Sequence, residues 1–238
     1  MAESMLKRVA DKLRGKFVVL DGPDGSGKTT QLSRLSTDLR HAGLDVVCAK
    51  DPGGTEIGSK IRHILLRHDL SRMAPRCETL LFMASRAQLV EEVIRPALKA
   101  GETVLCDRFI SATFAYQGAL GVSTDDIHKL GDLAVGKTWP ALTVVLDTPV
   151  EEGFRRVGRT TEKKPPKSVF ELSGQHTMFE DDHLDAMEVR TLEFHRRVRE
   201  IFQQLPELYP KPVVVIDASG TVDQVYQRVL EALERADY

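Results

Sequence analysis

The chain has 238 residues, of which 42% are apolar and 29% charged, with a formal net charge of −2. That length and mix describe a globular chain of one large domain or two small ones with a sizeable core, and exclude a fibrous or disordered chain. The charge balance excludes a broad basic face for nucleic acid, so any attraction to phosphate must be local.

No run reaches the roughly 18 apolar residues of a membrane span, and Met1 to Gly15 lacks an apolar signal core. A cytoplasmic protein with no membrane partner is expected. Cys48, Cys77 and Cys106 have no metal-ligand spacing. Cys48 and Cys106 end apolar runs and read as buried free thiols.

Met5, Leu6, Val9 and Leu13 have helical spacing among basic residues, which suits a short N-terminal packing helix better than a membrane-surface one. Phe17–Leu20 then reads as a strand. Gly22-Pro23-Asp24-Gly25-Ser26-Gly27-Lys28-Thr29 follows it, and Leu32, Leu35 and Leu39 continue in helical spacing. Strand, glycine loop and helix are the context of a phosphate-binding P-loop. Glycines let backbone N–H groups approach anionic oxygens, and the helix start adds unpaired N–H groups and its positive dipole end. Lys28 supplies a cation for terminal phosphates, and Thr29 a hydroxyl for magnesium.

Val46–Ala49 reads as a second strand, ending in the loop Lys50-Asp51-Pro52-Gly53-Gly54-Thr55. Ile57, Ile61, Ile64 and Leu65 predict a helix over 56–67, and a longer one runs from about Glu78 to Ala100. Apolar residues surround that longer helix, which suggests a self-association face. Thr103–Cys106 is a third strand, followed by Asp107-Arg108-Phe109. Helices are expected over 112–117 and 124–134. Thr143–Asp147 is a fourth strand, ahead of a helix over 150–158.

Thr160 to Asp182 is lysine-rich and lacks periodicity, which reads as a lid insert, about 155–182, beside Arg155, Arg156 and Arg159. A helix over 184–204, a strand at Val213–Asp217 and a last helix follow. That last helix is capped by Thr221 and Gln224 and buries Val222, Val225, Val229 and Leu233. Five short apolar strands alternating with helices predict an α/β fold, a five-stranded parallel sheet with helices on both faces. Ligands in such sheets bind beyond the carboxyl ends of the strands.

Asp107 at a strand end suits magnesium or proton acceptance, and Arg108 beside it suits a phosphate oxygen. Phe82 and Arg86 share a helix face, where a ring and a guanidinium could hold a flat base. With the P-loop, the Asp51–Thr55 loop and the run from Asp107 to Gly118, the chain resembles the thymidylate kinases from about Lys16 to Leu233. These are nucleoside-monophosphate kinases of the P-loop class.

The resemblance implies transfer of a phosphoryl group from ATP to dTMP, with Mg2+ as cofactor and a homodimer as assembly. It implies an ATP-binding loop of Gly22, Asp24, Gly25, Ser26, Gly27, Lys28, Thr29 and Thr30, with Thr29 and Asp107 serving the metal. For dTMP it implies Asp24, Phe82, Arg86, Arg108, Thr113, Tyr116 and Gln117. Phe82 stacks on thymine, Arg86 reaches its carbonyl edge, and Tyr116 crowds the sugar 2′ position. Gly25 stands where one subgroup carries a catalytic arginine, so the lid is expected to supply it through Arg159. The catalytic set is then Lys28, Arg108, Arg159 and Asp24.

Lys50-Asp51, Ser85, Ala112 and Ala141 depart from the family's usual Arg-Glu, Asp or Asn, Ser, and Asp. The lid also lacks the Asp-Arg expected before Phe179-Glu180. A kinase for another nucleoside monophosphate, or a catalytically weak nucleotide-binding protein, stay open as alternatives.

Overall fold

In the computed structural model, which describes residues 2–67, 73–158 and 190–237, the five apolar runs are strands. They are β1 Phe17–Asp21, β2 Val46–Lys50, β3 Thr103–Asp107, β4 Leu142–Asp147 and β5 Val213–Asp217. All pair in parallel in the order β2-β3-β1-β4-β5. β1 sits at the centre, with Leu20 opposite Asp107 on one side and Val144 on the other. The loop after β1 therefore opens in the middle of the carboxyl edge.

The helices are α1 Ala2–Leu13, α2 Lys28–His41, α3 Glu56–Arg67, α4 Pro75–Leu89, α5 Arg95–Lys99, α6 Ile110–Ala119, α7 Thr124–Val135, α8 Val150–Arg156, α9 Leu192–Leu208 and α10 Val222–Arg235. Side chains of β1 alternate between two cores because strand Cβ atoms alternate faces. Phe17 and Val19 pack with Met83, Phe114 and Phe202 from α4, α6 and α9, while Val18 and Leu20 pack with Leu13, Leu35 and Val229 from α1, α2 and α10. α1 is thus a packing helix, with Val9 and Leu13 fully buried.

Several expectations need correction. Cys48 is exposed because β2 is an edge strand, and only Cys106, on the next strand inward, is a buried thiol. Val222 is 51% exposed because it opens α10 before the helix reaches the core, although Thr221 and Gln224 do form the capping box. The long helix runs from Pro75 to Lys99 but is interrupted by a π turn at Val90–Ile94.

The apolar girth of that helix is absorbed within the chain, where Met83, Leu89, Val90, Ile94 and Ala97 are buried against the sheet and neighbouring helices. Its exposed large apolar residue is Leu80, at 53%. The lid expected at 155–182 lies outside the described residues from 159 onward, as does the start of the helix expected from 184.

Candidate active site

The glycine loop is held in place by close backbone approaches that only glycine permits. Gly22 has φ 135°, and a Cβ there would lie 2.4 Å from the Leu146 carbonyl oxygen at the end of β4. Gly25 has φ 73°, and its Cβ would lie 2.1 Å from the Gly153 oxygen in α8. An arginine at position 25 therefore has no room unless α8 moves. Gly27, also left-handed, hands the chain into α2.

Lys28, in the first turn, is buried and donates to the carbonyls of Gly22 (3.0 Å) and Pro23 (2.8 Å) and to Ser26 Oγ (3.3 Å). Burial first, and then the Arg108 cation, depress its pKa to about 8 against the pull of Asp24, Asp21 and Asp107. A lysine so desolvated is poised to gain by meeting phosphate. Thr30 is exposed on the first turn of α2.

Arg108 follows β3 with φ 68°, a left-handed conformation that costs about 1 kcal/mol or more for a side-chain-bearing residue. Its contacts over-determine that conformation. Nη1 donates to Asp21 Oδ1 (3.1 Å) and the Gly22 carbonyl (2.9 Å), while Nη2 donates to Asp24 Oδ1 (2.5 Å) and Tyr116 Oη (3.3 Å). The Tyr116 hydroxyl donates to the same Asp24 oxygen at 2.9 Å. Burial alone would raise the Asp24 carboxyl, but Arg108, Lys28, His195 and the Tyr116 hydrogen bond together hold it below the usual range. Burial and the neighbouring carboxylates push the Tyr116 phenol well up, so it stays a donor. Thr29 Oγ1 donates to Asp107 Oδ2 at 2.8 Å, which brings a hydroxyl and a carboxylate together at the strand edge.

These groups border a cavity of about 300 Å³ that is also lined by Lys50, Arg62, Phe82, Arg86, Thr113 and Gln117. Phe82 is half-buried on its wall. Arg86 is 1% exposed and sits at its floor. Its Nε donates to Asp51 Oδ2 (2.7 Å), Nη2 to the Phe109 carbonyl (3.0 Å) and Thr113 Oγ1 (3.2 Å), and Nη1 meets the Met83 sulfur at 3.1 Å. Nη1 is the one spent on a soft, weak acceptor, and so the nitrogen that a better acceptor would win.

Every sequence-derived site residue that the structure describes, apart from Thr30, belongs to the loop or this cavity, whereas Arg159 lies outside the described residues. The departures from the family pattern have local consequences. Asp51 is the buried partner of Arg86, Ser85 Oγ accepts from the Gly53 N–H at 3.1 Å, and Lys50, opposite Asp107 in the sheet, lines the cavity.

Sequence reasoning missed four participants. Asp21 holds both Arg108 and Ser111, the latter at 2.6 Å, and its place at the end of β1 could have flagged it. Arg62 lines the cavity and donates to the Pro52 carbonyl at 3.0 Å. His195 of α9 is buried with Nδ1 4.0 Å from Asp24 Oδ2, against the rings of Phe154 and Phe194. Glu78 is buried behind Gln117. His195 comes from a remote helix that no spacing in the sequence announces, whereas Glu78 lies four residues before Phe82 on α4, so its i,i+4 spacing could have flagged it.

A phosphate-binding loop at the centre of a parallel sheet, facing a cavity walled by an aromatic ring and arginines, defines a P-loop nucleoside-monophosphate kinase. A thymidylate kinase family model matches residues 20–229, and the chain belongs to the thymidylate kinase family.

The thymidylate kinase of an Exiguobacterium species is 40% identical over 220 residues, covering 92% of this chain and 94% of that one. That of Protochlamydia amoebophila is 40% identical over 225 residues, with 94% of each chain covered. The crystal structure of thymidylate kinase from Ehrlichia chaffeensis superposes with a TM-score of 0.68 at 26% identity, covering 93% of this chain and 99% of that one.

Proposed function

We propose a division of labour for the family's reaction, the ATP-dependent phosphorylation of dTMP to dTDP, within a single domain spanning 1–238. The observation that carries it is the convergence of Lys28 and Arg108 on one crevice between the glycine loop and the Phe82 cavity. The loop amides and Lys28 hold the ATP phosphates. Arg108, oriented by Asp21 and Asp24, binds the acceptor phosphate. Phe82 stacks on the base, Arg86, Thr113 and Gln117 read its edge, and Tyr116 packs against the sugar.

Such a transfer needs little covalent help, because positioning and neutralisation of charge lower the barrier. Two polyanions must be brought end to end, and the fixed cations reduce their repulsion. Thr29 and Asp107 are oxygen ligands suited to Mg2+, an ion that takes few protein ligands and completes its shell with water and phosphate. Bound there, it would supply further charge neutralisation. Gly25 leaves the loop without an arginine donor, which assigns that part to the lid, with Arg159 as the candidate.

A coupled assay of ADP formation with dTMP, dUMP, AMP, CMP and GMP tests the reading. dTMP is expected to give the highest kcat/KM, and preference for another acceptor would overturn it. Arg159→Ala is expected to lower turnover on the order of a hundredfold.

A cytoplasmic homodimer completes the proposal. Ile57 and Ile64 lie seven residues apart on α3, which packs on α4, and both are exposed, as is Leu80 of α4. Exposed apolar residues on two helices packed together suit an isologous contact. Light scattering that returned a monomer at micromolar concentration would remove that part.

A further inference from the structure

Behind the acceptor cavity lies a buried carboxylate that the mechanism above does not use. Glu78, in the first turn of α4, is 1% exposed. One of its oxygens accepts from Gln117 Nε2 of α6 at 2.7 Å, and the other from Arg190 Nη2 at 2.6 Å. Arg190 immediately precedes Thr191, the N-cap of α9, and its guanidinium lies 4.7 Å over the Phe194 ring. Two helices, α4 and α6, and the segment leading into a third thus meet at one carboxylate.

The chemistry of that meeting is directional. A side-chain amide can turn over, exchanging its N–H2 and C=O ends at little intrinsic cost. A carboxylate offers acceptors only, so Glu78 admits just one end of Gln117, the N–H2 end. Arg190 neutralises the buried charge and holds the carboxylate in register by a charge-assisted bond. Gln117 itself is 1% exposed and lines the cavity together with Phe82.

We propose that Glu78 and Arg190 are specificity-determining positioning residues that lock the Gln117 amide with its carbonyl oxygen toward the base. This rests on the reading that the cavity holds the monophosphate acceptor. An oxygen presented there accepts from the ring N3–H of thymine or uracil. Cytosine carries a lone pair at that nitrogen and meets oxygen with repulsion. The lock therefore favours imide bases, and its strength comes from a pair of residues that never touch the nucleotide.

The test uses the full chain as wild type, as Glu78→Gln, and as the double variant Glu78→Gln/Arg190→Met, which also removes the cation left without its carboxylate. A glutamine at 78 can accept or donate, so Gln117 is free to turn. The ratio of kcat/KM for dTMP over dCMP is expected to fall about tenfold or more, carried mainly by KM for dTMP, with KM for ATP unchanged. A purely structural role would lower both acceptors by one factor, and that result in whichever variant folds overturns the lock.

Calorimetric Kd values for dTMP and dCMP read the same selectivity without turnover. Wild-type chain that binds dTMP selectively yet transfers no phosphoryl group sinks the kinase reading and leaves the lock to be judged on the variants' Kd ratio. An unchanged Kd ratio in the variants overturns the lock while the kinase reading stands.

Discussion

Arg108 Nη2 lies 2.5 Å from Asp24 Oδ1, and this contact, with that of Nη1 on the Gly22 carbonyl, ties the end of β3 to the glycine loop. The two residues follow neighbouring strands, β1 and β3, whose carboxyl ends lie side by side, so the sheet's register brings them together. The left-handed backbone of Arg108 is part of the same arrangement, because relaxing it would swing the guanidinium out of the crevice.

Asp24→Ala leaves Arg108 with Asp21 as its remaining carboxylate partner and removes the Tyr116 acceptor. The expected outcome is a fall in kcat/KM for dTMP of about a hundredfold, from lost orientation of the acceptor phosphate. Because the Asp24 carboxyl is depressed in the folded chain, its contribution to stability is complete above the unfolded carboxylate pKa. That contribution is lost as pH falls through the folded value. Wild type should therefore lose more of its melting temperature than Asp24→Asn on acidification below about pH 4. Parallel melting curves would count against the pairing.

The Arg86–Asp51 pair makes a sharper stability prediction. Both side chains are 1% exposed, and each is the other's charge partner. Asp51→Asn leaves a buried guanidinium without its counter-ion and is expected to cost about 3–5 kcal/mol in urea unfolding. Arg86→Lys should cost a comparable amount, since an ammonium cannot reproduce the planar fork that meets Asp51, Phe109 and Thr113. A loss under about 1 kcal/mol for either would show that the pair is not carrying the floor of the cavity.

The five strands and the gathering of their carboxyl-end loops on one edge were legible because each strand is short and apolar, and each is closed by a glycine, proline or aspartate; their order in the sheet was not. The P-loop was legible because its chemistry is local, with every backbone N–H coming from one stretch. Arg86 was read as a base-edge ligand from its helical neighbour Phe82, yet most of its bonds go to Asp51, Phe109 and Thr113, which lie far away in sequence. Glu78 and His195 were missed for the same reason, as Gln117 and Asp24, which they face, lie far away in sequence. The exposed Cys48 shows the limit of an apolar run as a burial signal: it identifies a strand but not whether the strand lies at the sheet's edge.

Gly25 and Gly43 separate steric need from mere conformational preference. Both have positive φ, but a Cβ at Gly25 would strike the Gly153 backbone, whereas at Gly43 nothing lies within 4 Å. Gly43→Ala should cost only the left-handed penalty of about 1–2 kcal/mol. Gly25→Ala must also displace α8 or the loop, so a loss of at least about 3 kcal/mol is expected in chemical unfolding, together with weakened ATP binding. Equal losses at the two positions would mean that the approach of loop to α8 is not a constraint.

Lys28 gives the free enzyme an alkaline limb. Its pKa of about 8 results from burial and from Arg108, so near pH 8 the free protein holds it only partly protonated. ATP binds the charged form, and kcat/KM for ATP reports the free enzyme's ionisations. That ratio is therefore expected to be level below about pH 7.5 and to fall as pH rises past 8, approaching tenfold per pH unit. The sign for stability is opposite. Between pH 8 and the unfolded lysine value near 10.4 the unfolded chain binds more protons, so the Lys28 contribution rises with pH across that window. At saturating ATP the phosphates should hold the proton on, which moves the break in kcat to higher pH than the break in kcat/KM. A kcat/KM profile for ATP that stays level from pH 7 to 10 would show that the Lys28 cation is not what the triphosphate requires.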